Sequence, residues 1–190
     1  MQEHIGLIIL IVVVLIPVFW IIVTYNNLVK LRQCCLNAWS QIDTELKRRY
    51  DLIPNLVDTV KGYAKYESGV LQNVTEARAK AVASTGSPAS QAVDENNLIV
   101  SLRQLFGVVE KYPDLKASQH FLKLQSELVN TEDRIQASRR FYNGNIRDIN
   151  TMIQSFPSNI IAGLFGFKSQ ELFEIEDTGY ALCRWPPFDK

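Results

Sequence analysis

Residues 5–23 form an apolar run near the start of the chain, and no charged side chain lies within it. As an α-helix, about 19 residues measure roughly 28 Å, close to the ~30 Å hydrocarbon core of a bilayer. Trp20 and Tyr25 lie near one end, where aromatic rings favour the membrane interface. The pattern predicts a transmembrane helix, with residues 1–24 as an N-terminal anchor and the lipid bilayer as the partner of residues 5–23.

A cleaved signal peptide is the alternative interpretation of this run. It requires a basic segment before the run and a small-residue cleavage site after it. Residues 1–4 contain no Lys or Arg, and no Ala-x-Ala site follows the run, so we expect an uncleaved anchor. Lys30 and Arg32 follow the run, whereas only Glu3 precedes it. The positive-inside tendency then predicts a single-pass protein of the cell (inner) membrane with a cytoplasmic soluble domain.

Beyond the run, apolar positions recur at alternating spacings of three and four residues, which is typical of one face of an α-helix. These positions are Leu28, Leu31, Cys35, Ala38, Ile42 and Leu46; Ile53, Leu56, Val60, Tyr63, Val70, Val74, Ala77 and Ala81; Leu98, Leu102, Leu105 and Val109; and Phe121, Leu124, Leu128, Ile135, Tyr142, Ile146, Ile149 and Ile153. No segment has a convincing strand pattern. The chain is therefore predicted to be all-α, with the N-terminal transmembrane helix followed by an elongated antiparallel helical bundle with coiled-coil-like packing in residues 25–155.

Each of these groups of apolar positions forms a stripe along a helix. The breaks between the stripes decide whether the bundle has three or four long helices. No Pro or Gly separates the apolar run from the first stripe, so the transmembrane helix is expected to continue into the bundle. Asp51 can serve as an N-cap and Pro54 suits an early helical turn, which leaves a turn or a mere kink there as alternatives. Asp114 can cap a last long helix, predicted over residues 115–153.

Residues 156–190 form a partly apolar C-terminal tail. The segment 160–167 is rich in large apolar side chains but is too short to span a bilayer. We expect it to fold back over the bundle. Docking onto the membrane surface or onto a neighbouring subunit is the alternative.

Charge and cysteine content narrow the possible functions. Twenty basic and twenty acidic residues give no formal net charge, so a nucleic-acid partner, which requires a basic surface, is not expected. Three cysteines do not form a disulfide framework, and reduced thiols fit the cytoplasmic side. Cys35 lies on an apolar stripe and is expected to be buried, with palmitoylation of the Cys34–Cys35 pair as the alternative.

Patterns for catalysis and metal binding are missing from the sequence. The only histidines are His4 and His120, and Ala117 stands where a Glu-x-x-His pair would need Glu. Zinc-type cysteine spacing, His-Glu-x-x-His, Gly-x-Ser-x-Gly and glycine-rich phosphate loops are also lacking. We therefore expect no enzymatic activity, no catalytic or metal-binding residue and no cofactor.

The remaining polar and aromatic residues suggest an interaction surface. Lys47, Arg48 and Arg49 would lie about 36 Å from the apolar run along a straight helix, several Debye lengths away. Ion pairs with Glu132 or Asp133 of another helix are therefore favoured over attraction to lipid headgroups. The candidate surface comprises Trp39, Lys47, Arg48, Arg49, Tyr112, Asp114, Ile160, Phe165 and Phe167.

Several blocks of the sequence resemble the LemA family. They are residues 25–32, 38–43, 46–57, 112–116, 121–128, 131–132, 139–143 and 156–162, in matching order from about Tyr25 to Phe173. The resemblance implies a prokaryotic single-pass membrane protein with an elongated antiparallel helical domain and no established catalytic activity. It also implies kinship with magnetosome membrane proteins and a link with a heat-shock membrane metalloprotease. Cys34-Cys35 and Gly144 depart from the pattern of the family.

Two functions fit these observations. The first is a non-enzymatic, self-assembling structural protein that organises the membrane as a homo-oligomer. The second is an adaptor that presents clients to a membrane metalloprotease or another membrane enzyme through residues 47–57 and 112–116. An anchor joined to a striped bundle without a catalytic pattern favours the first.

Overall fold

A computed structural model describes residues 2–174, and this part of the chain contains helices and no strand. The helices are α1 (Gln2–Tyr63), α2 (Ser68–Ala83), α3 (Pro88–Val109), α4 (Pro113–Lys116), α5 (Gln119–Gln154) and α6 (Ser158–Leu164). The all-α prediction is confirmed for these residues. The rest of the predicted tail, including Cys183, lies outside the described residues.

Helix α1 joins the apolar run to the first bundle helix without a break, as the sequence predicts. By length and composition, it can cross a membrane. Every side chain from residue 11 to residue 23 is exposed. A long apolar segment that is not covered by its own protein is what a lipid-facing helix requires.

The turn considered at Asp51 is absent, because α1 continues through Asp51 and Pro54. A proline inside a helix removes the hydrogen bond to the carbonyl four residues earlier, here that of Tyr50. In the structure Arg78 of α2 donates to the Tyr50 carbonyl oxygen from Nε at 2.7 Å. This contact satisfies the released acceptor, so the helix can pass through Pro54 without an unpaired buried carbonyl.

The chain instead turns between α1 and α2, where the spacing of apolar residues predicts one continuous stripe. As a result Tyr63, predicted to be buried, is exposed, and Ala64 is buried instead. Glu67 is the half-buried residue before α2 and makes no capping hydrogen bond through its side chain. Among the described residues, the bundle therefore uses four long helices: α1, α2, α3 and α5.

The described residues divide into two units. The first contains residues 2–38 together with Asn143–Gln170, and the second contains Trp39–Tyr142 together with residues 171–174. The core of the second unit is formed by apolar residues of all its helices, most of them on the predicted stripes. Its buried members include Ile53, Leu56, Val60, Val74, Leu98, Leu102, Leu105, Leu115, Phe121 and Leu128.

Two ion pairs show the relative direction of α1 and α5 in the second unit. Arg48 Nη2 lies 2.7 Å from Glu127 Oε2, and Arg134 Nη1 lies 3.7 Å from Glu45 Oε1. Residue numbers fall along α5 as they rise along α1, so the two helices are antiparallel there, as predicted.

The last long helix begins later than predicted. Residues Pro113–Lys116 form the separate short helix α4, and α5 starts at Gln119. Asp114 is not the cap: Tyr112 occupies the N-cap position and Pro113 follows it. Asp114 lies in the first turn, where its carboxylate complements the positive end of the helix dipole.

In the first unit, the start of the tail folds back onto α1, in agreement with the predicted fold-back. Ile161 and Ala162 of α6 form a buried cluster with Leu28. The side-chain amide of Asn150 accepts from the backbone N–H of Gln170 at 2.8 Å and donates to its carbonyl at 2.9 Å. These contacts hold the chain after α6 against α5.

Cys35 is buried in the first unit and Cys34 is exposed. Burial raises the pKa of the Cys35 thiol, with smaller contributions from Cys34 and Asp148. The expected burial of Cys35 on the apolar stripe is thus confirmed, and a buried thiol with a raised pKa favours a structural role.

Candidate functional site

A buried ion-pair cluster joins three helices of the second unit. Arg49 of α1 donates from Nη1 to Glu132 Oε2 of α5 at 2.9 Å and from Nη2 to Glu95 Oε2 of α3. The hydroxyl of Tyr50 donates to the other carboxylate oxygen of Glu95. The side chain of Arg49 is only 1% exposed, and both carboxylates are buried with it.

These charged residues are buried because they occupy core-facing positions of their helices. Leu46, Arg49 and Ile53 follow one another at spacings of three and four, so Arg49 occupies a core position of α1. Glu95 and Glu132 are buried on the core-facing sides of α3 and α5 in the same way. The predicted stripe jumps seven residues from Leu46 to Ile53, and that gap was the sequence signal for a buried polar residue.

The cluster is organised for structure more than for chemistry. Buried charges need partners. Here the guanidinium of Arg49 donates to one oxygen of each carboxylate, and the Tyr50 hydroxyl donates to the second oxygen of Glu95. Such an arrangement can hold three helices in one register, because a slipped helix would leave a buried charge unpaired. Across residues 2–174, no group of three or more His, Cys, Asp or Glu residues could hold a metal ion.

Tyr50 lies outside the apolar run of residues 5–23. Its pKa is raised above the usual value for tyrosine, mainly because the hydroxyl is buried. Arg49 lowers this pKa, while Asp43 and Asp94 add to the increase. The folded protein therefore holds the proton more tightly than the unfolded chain does. The contribution of Tyr50 to stability is present below the unfolded pKa and is lost as pH rises through the folded pKa.

We expect the free energy of unfolding to fall more steeply above about pH 10 in the wild type than in Tyr50→Phe, which has no phenol to ionise. Urea unfolding of the detergent-solubilised protein at a series of alkaline pH values would measure both slopes. Tyr66→Phe is the control, because Tyr66 is 97% exposed. If Tyr50→Phe and Tyr66→Phe follow the same curve, Tyr50 is not the titrating group.

Comparison with known proteins identifies the family. The model of the LemA family matches residues 38–181. The chain belongs to the LemA family. It is 29% identical to "Protein LemA" of Metamycoplasma hominis, over 80% of this chain and 69% of that protein. It is also 24% identical to "Magnetosome protein MamQ 2" of Paramagnetospirillum magneticum and 23% identical to "Magnetosome protein MamQ" of Magnetospirillum gryphiswaldense, each over 84% of this chain and 68% of the relative.

The LemA-matched region contains all three charged members of the cluster, Arg49, Glu95 and Glu132. The predicted interaction surface includes Arg49, but the structure buries this residue. Its side chain is enclosed and engaged by two carboxylates, so it is not available to another molecule. The predicted ion pairing to α5 is confirmed with Glu132 as the partner of Arg49.

Trp39, one of the aromatic members of the predicted surface, is only half-exposed. Its ring packs against Tyr142 at 5.3 Å and Phe173 at 5.2 Å between centroids. Phe173 also lies under the guanidinium of Arg139, at 5.9 Å. This group ties α1, α5 and the following segment together within the second unit, and burial against Phe173 is the reason that Trp39 is not a free contact.

The other members of the surface are distributed over both units. In the second unit Lys47 and Asp114 are exposed, Arg48 is half-exposed and paired with Glu127, and Tyr112 packs partly against the core. In the first unit Ile160 and Phe165 are exposed and Phe167 is half-buried. The second unit thus retains a polar part of the predicted surface, and the first unit retains an apolar part.

Proposed function

We propose that this chain is a non-enzymatic, single-pass membrane protein whose helical domain self-assembles to organise the membrane. The observation that carries the proposal is α1, in which the apolar run, exposed over residues 11–23, continues without a break into the part of the helix that bears Arg49 and the core stripe. A membrane segment attached in this way confines the domain to the bilayer surface. Relatives that carry the name magnetosome protein support a role in organising a cellular structure.

The membrane orientation belongs to the same proposal. Lys30 and Arg32 follow the run on α1, while Glu3 is the only charged side chain before it. Basic residues near a span remain on the cytoplasmic side. The helical domain therefore faces the cytoplasm and the N-terminus lies outside the inner membrane.

The state of the buried acidic groups supports a non-enzymatic role. A general acid or base needs a carboxylate that can reach a substrate and exchange a proton. Glu95 and Glu132 are instead enclosed and bonded to Arg49.

An exposed apolar line on α3 supports self-assembly. Val93 and Val100 are both exposed and are seven residues apart, which places them on one face of the helix. Val82, on α2, is exposed as well. Apolar side chains at heptad spacing are suited to packing against a helix of a second copy.

We expect the protein extracted in mild detergent to have a native mass of several copies and the double variant Val93→Lys/Val100→Lys to shift toward the monomer. The added charges would be desolvated in a packed interface. Sedimentation over a range of concentrations would measure the masses. Ser126→Lys/Asn130→Lys, which adds the same charges to exposed positions of α5, is the matched control and should keep the wild-type mass. A wild-type monomer at every concentration would refute self-assembly.

The alternative function is an adaptor for a membrane metalloprotease or another membrane enzyme. An open groove of about 370 Å³ between α2 and α3, in which most of the lining residues are polar, favours it. The groove is lined by Asn73, Glu76, Lys80, Asn97 and Gln104, among others, and could accept a polar segment of a client. Identification of all components of the same detergent extract separates the functions: extra copies support self-assembly, and a stoichiometric enzyme supports the adaptor.

A further inference from the structure

The first unit has an uncovered apolar surface on and beside α6, hereafter the α6 face. It comprises Phe156, Ile160, Leu164 and Phe165, all of them exposed. Leu164 is 75% exposed and Phe165 is 55% exposed, whereas the opposite side of the helix is buried against Leu28. A short helix that is apolar on both sides needs a second apolar environment for its outer side.

The contacts of α6 place this face beside the end of the apolar run. The ring of Phe165 lies 4.7 Å from that of Tyr25, and α6 packs on Leu28. Tyr25 and Leu28 follow Val23, the last residue of the run, by only two and five positions, or about 3–8 Å along the helix axis. At this depth the hydrocarbon gives way to the headgroup region, so a bilayer that contains the run also reaches the α6 face.

The charges around the α6 face favour lipid over a second protein copy as its cover. Lys30, Arg32 and Lys168 lie on the segments that form this region, while residues 24–38 and 155–170 contain no Asp or Glu. The guanidinium of Arg32 is 5.4 Å from the centroid of the Phe167 ring. Anionic headgroups attract such cations, whereas a second copy docked through the same face would bring like charges together.

We propose that the α6 face lies in the membrane interface and forms a second contact with the bilayer, with the three cations directed to anionic headgroups. This inference rests on the proposed anchor. Apolar side chains inserted beside a span add area to one leaflet only. The contact would thus hold the first unit in one orientation at the membrane. Because it expands one leaflet only, it would also favour curvature of the bilayer.

The test uses the full-length chain in vesicles of phosphatidylcholine and phosphatidylglycerol in equal amounts. An environment-sensitive fluorophore is attached to Leu164→Cys in a background with Cys34→Ser and Cys183→Ser, in which the buried Cys35 remains. Lipids with a quencher near the headgroup or near the chain terminus report the depth of the label. The matched labels are Val14→Cys, inside the apolar run, and Ser126→Cys, at an exposed site of the second unit.

We expect the label at position 164 to be quenched roughly twofold or more by the shallow quencher relative to the deep one, since interfacial helices enter ~5–10 Å into the boundary region. The label at position 14 should be quenched mainly by the deep lipid, and the label at 126 by neither. If position 14 is quenched but 164 is not, the inference is wrong and the anchor stands. A shielded but unquenched label at 164 would identify a second copy as the cover. If position 14 is unquenched, the anchor and this inference fail together.

Discussion

Replacing Arg49 with Met is expected to lower the free energy of unfolding by roughly 3–5 kcal/mol. The substitution keeps much of the side-chain volume but leaves Glu95 and Glu132 buried without their guanidinium. Uncompensated buried carboxylates are among the most destabilising changes a fold can undergo. Because domains are stable by only about 5–15 kcal/mol, the loss would be visible as a much lower urea midpoint, followed by circular dichroism in detergent.

Arg48→Met provides the matched control for this prediction. Arg48 is the neighbouring residue on α1, and its pair with Glu127 has a comparable length of 2.7 Å, but its side chain is 41% exposed. Solvent screens such a pair, so a loss of about 0–1 kcal/mol is expected. If Arg49→Met and Arg48→Met lower the free energy of unfolding equally, burial of the Arg49 cluster is not the cause of the effect.

A third variant separates the cost of an unpaired charge from the value of the cluster itself. When Arg49→Met is combined with Glu95→Leu and Glu132→Leu, no buried charge is left without a partner. Replacing a whole buried ion-pair group with apolar residues is often neutral or stabilising. Most of the lost stability should therefore return. If it does not, the cluster contributes favourable energy of its own.

The sequence predicts most of the core because a helix converts local spacing into one buried face. Ile42 and Leu56 on α1 and Ile146 on α5 are all fully buried, as the spacing of three and four residues indicates. This information is local, so it does not depend on knowing which helices pack together. The same reasoning explains why the all-α fold and the continuity of α1 with the apolar run could be predicted.

The continuity of α1 through Asp51 and Pro54 could not be predicted, because its cause is non-local. Asp51 and Pro54 have the local chemistry of a helix start. The donor that relieves Pro54 is Arg78, which lies on the next helix and supplies the hydrogen bond that the Tyr50 carbonyl lacks. No spacing rule along α1 reveals that partner.

The candidate site shows the same limit. In the sequence, residues 47–49 form one basic patch, yet their side chains lie in different environments. Lys47 is exposed, Arg48 is partly exposed and paired with Glu127, and Arg49 is buried. The position of Arg49 on the core stripe could have been recognised from Leu46 and Ile53. Glu132 could be named from the sequence as a possible partner on another helix, but Glu95 could not, because it lies on α3 and no local spacing links it to α1 or α5.

Replacing Val14 and Leu15 with Arg is expected to abolish stable membrane integration. Each Arg near the centre of a span costs about 2.5–3.5 kcal/mol, or roughly 5–7 kcal/mol for both. The fraction of full-length protein that stays in the membrane pellet after an alkaline carbonate wash measures the effect. Val14→Leu/Leu15→Val is the control and should remain in the pellet, since it preserves the apolar character of the run.

The washed fractions also distinguish a lost anchor from a misfolded domain. Val14 and Leu15 belong to the first unit, whereas the Arg49 cluster and its surrounding core belong to the second. The released Arg variant should therefore keep the wild-type urea midpoint of its helical domain. Contact through the α6 face alone would be peripheral, and the carbonate wash would remove it. Retention of the Arg variant in the washed pellet would contradict the assignment of residues 5–23 as the anchor, because no other described helix is long and apolar enough to replace it.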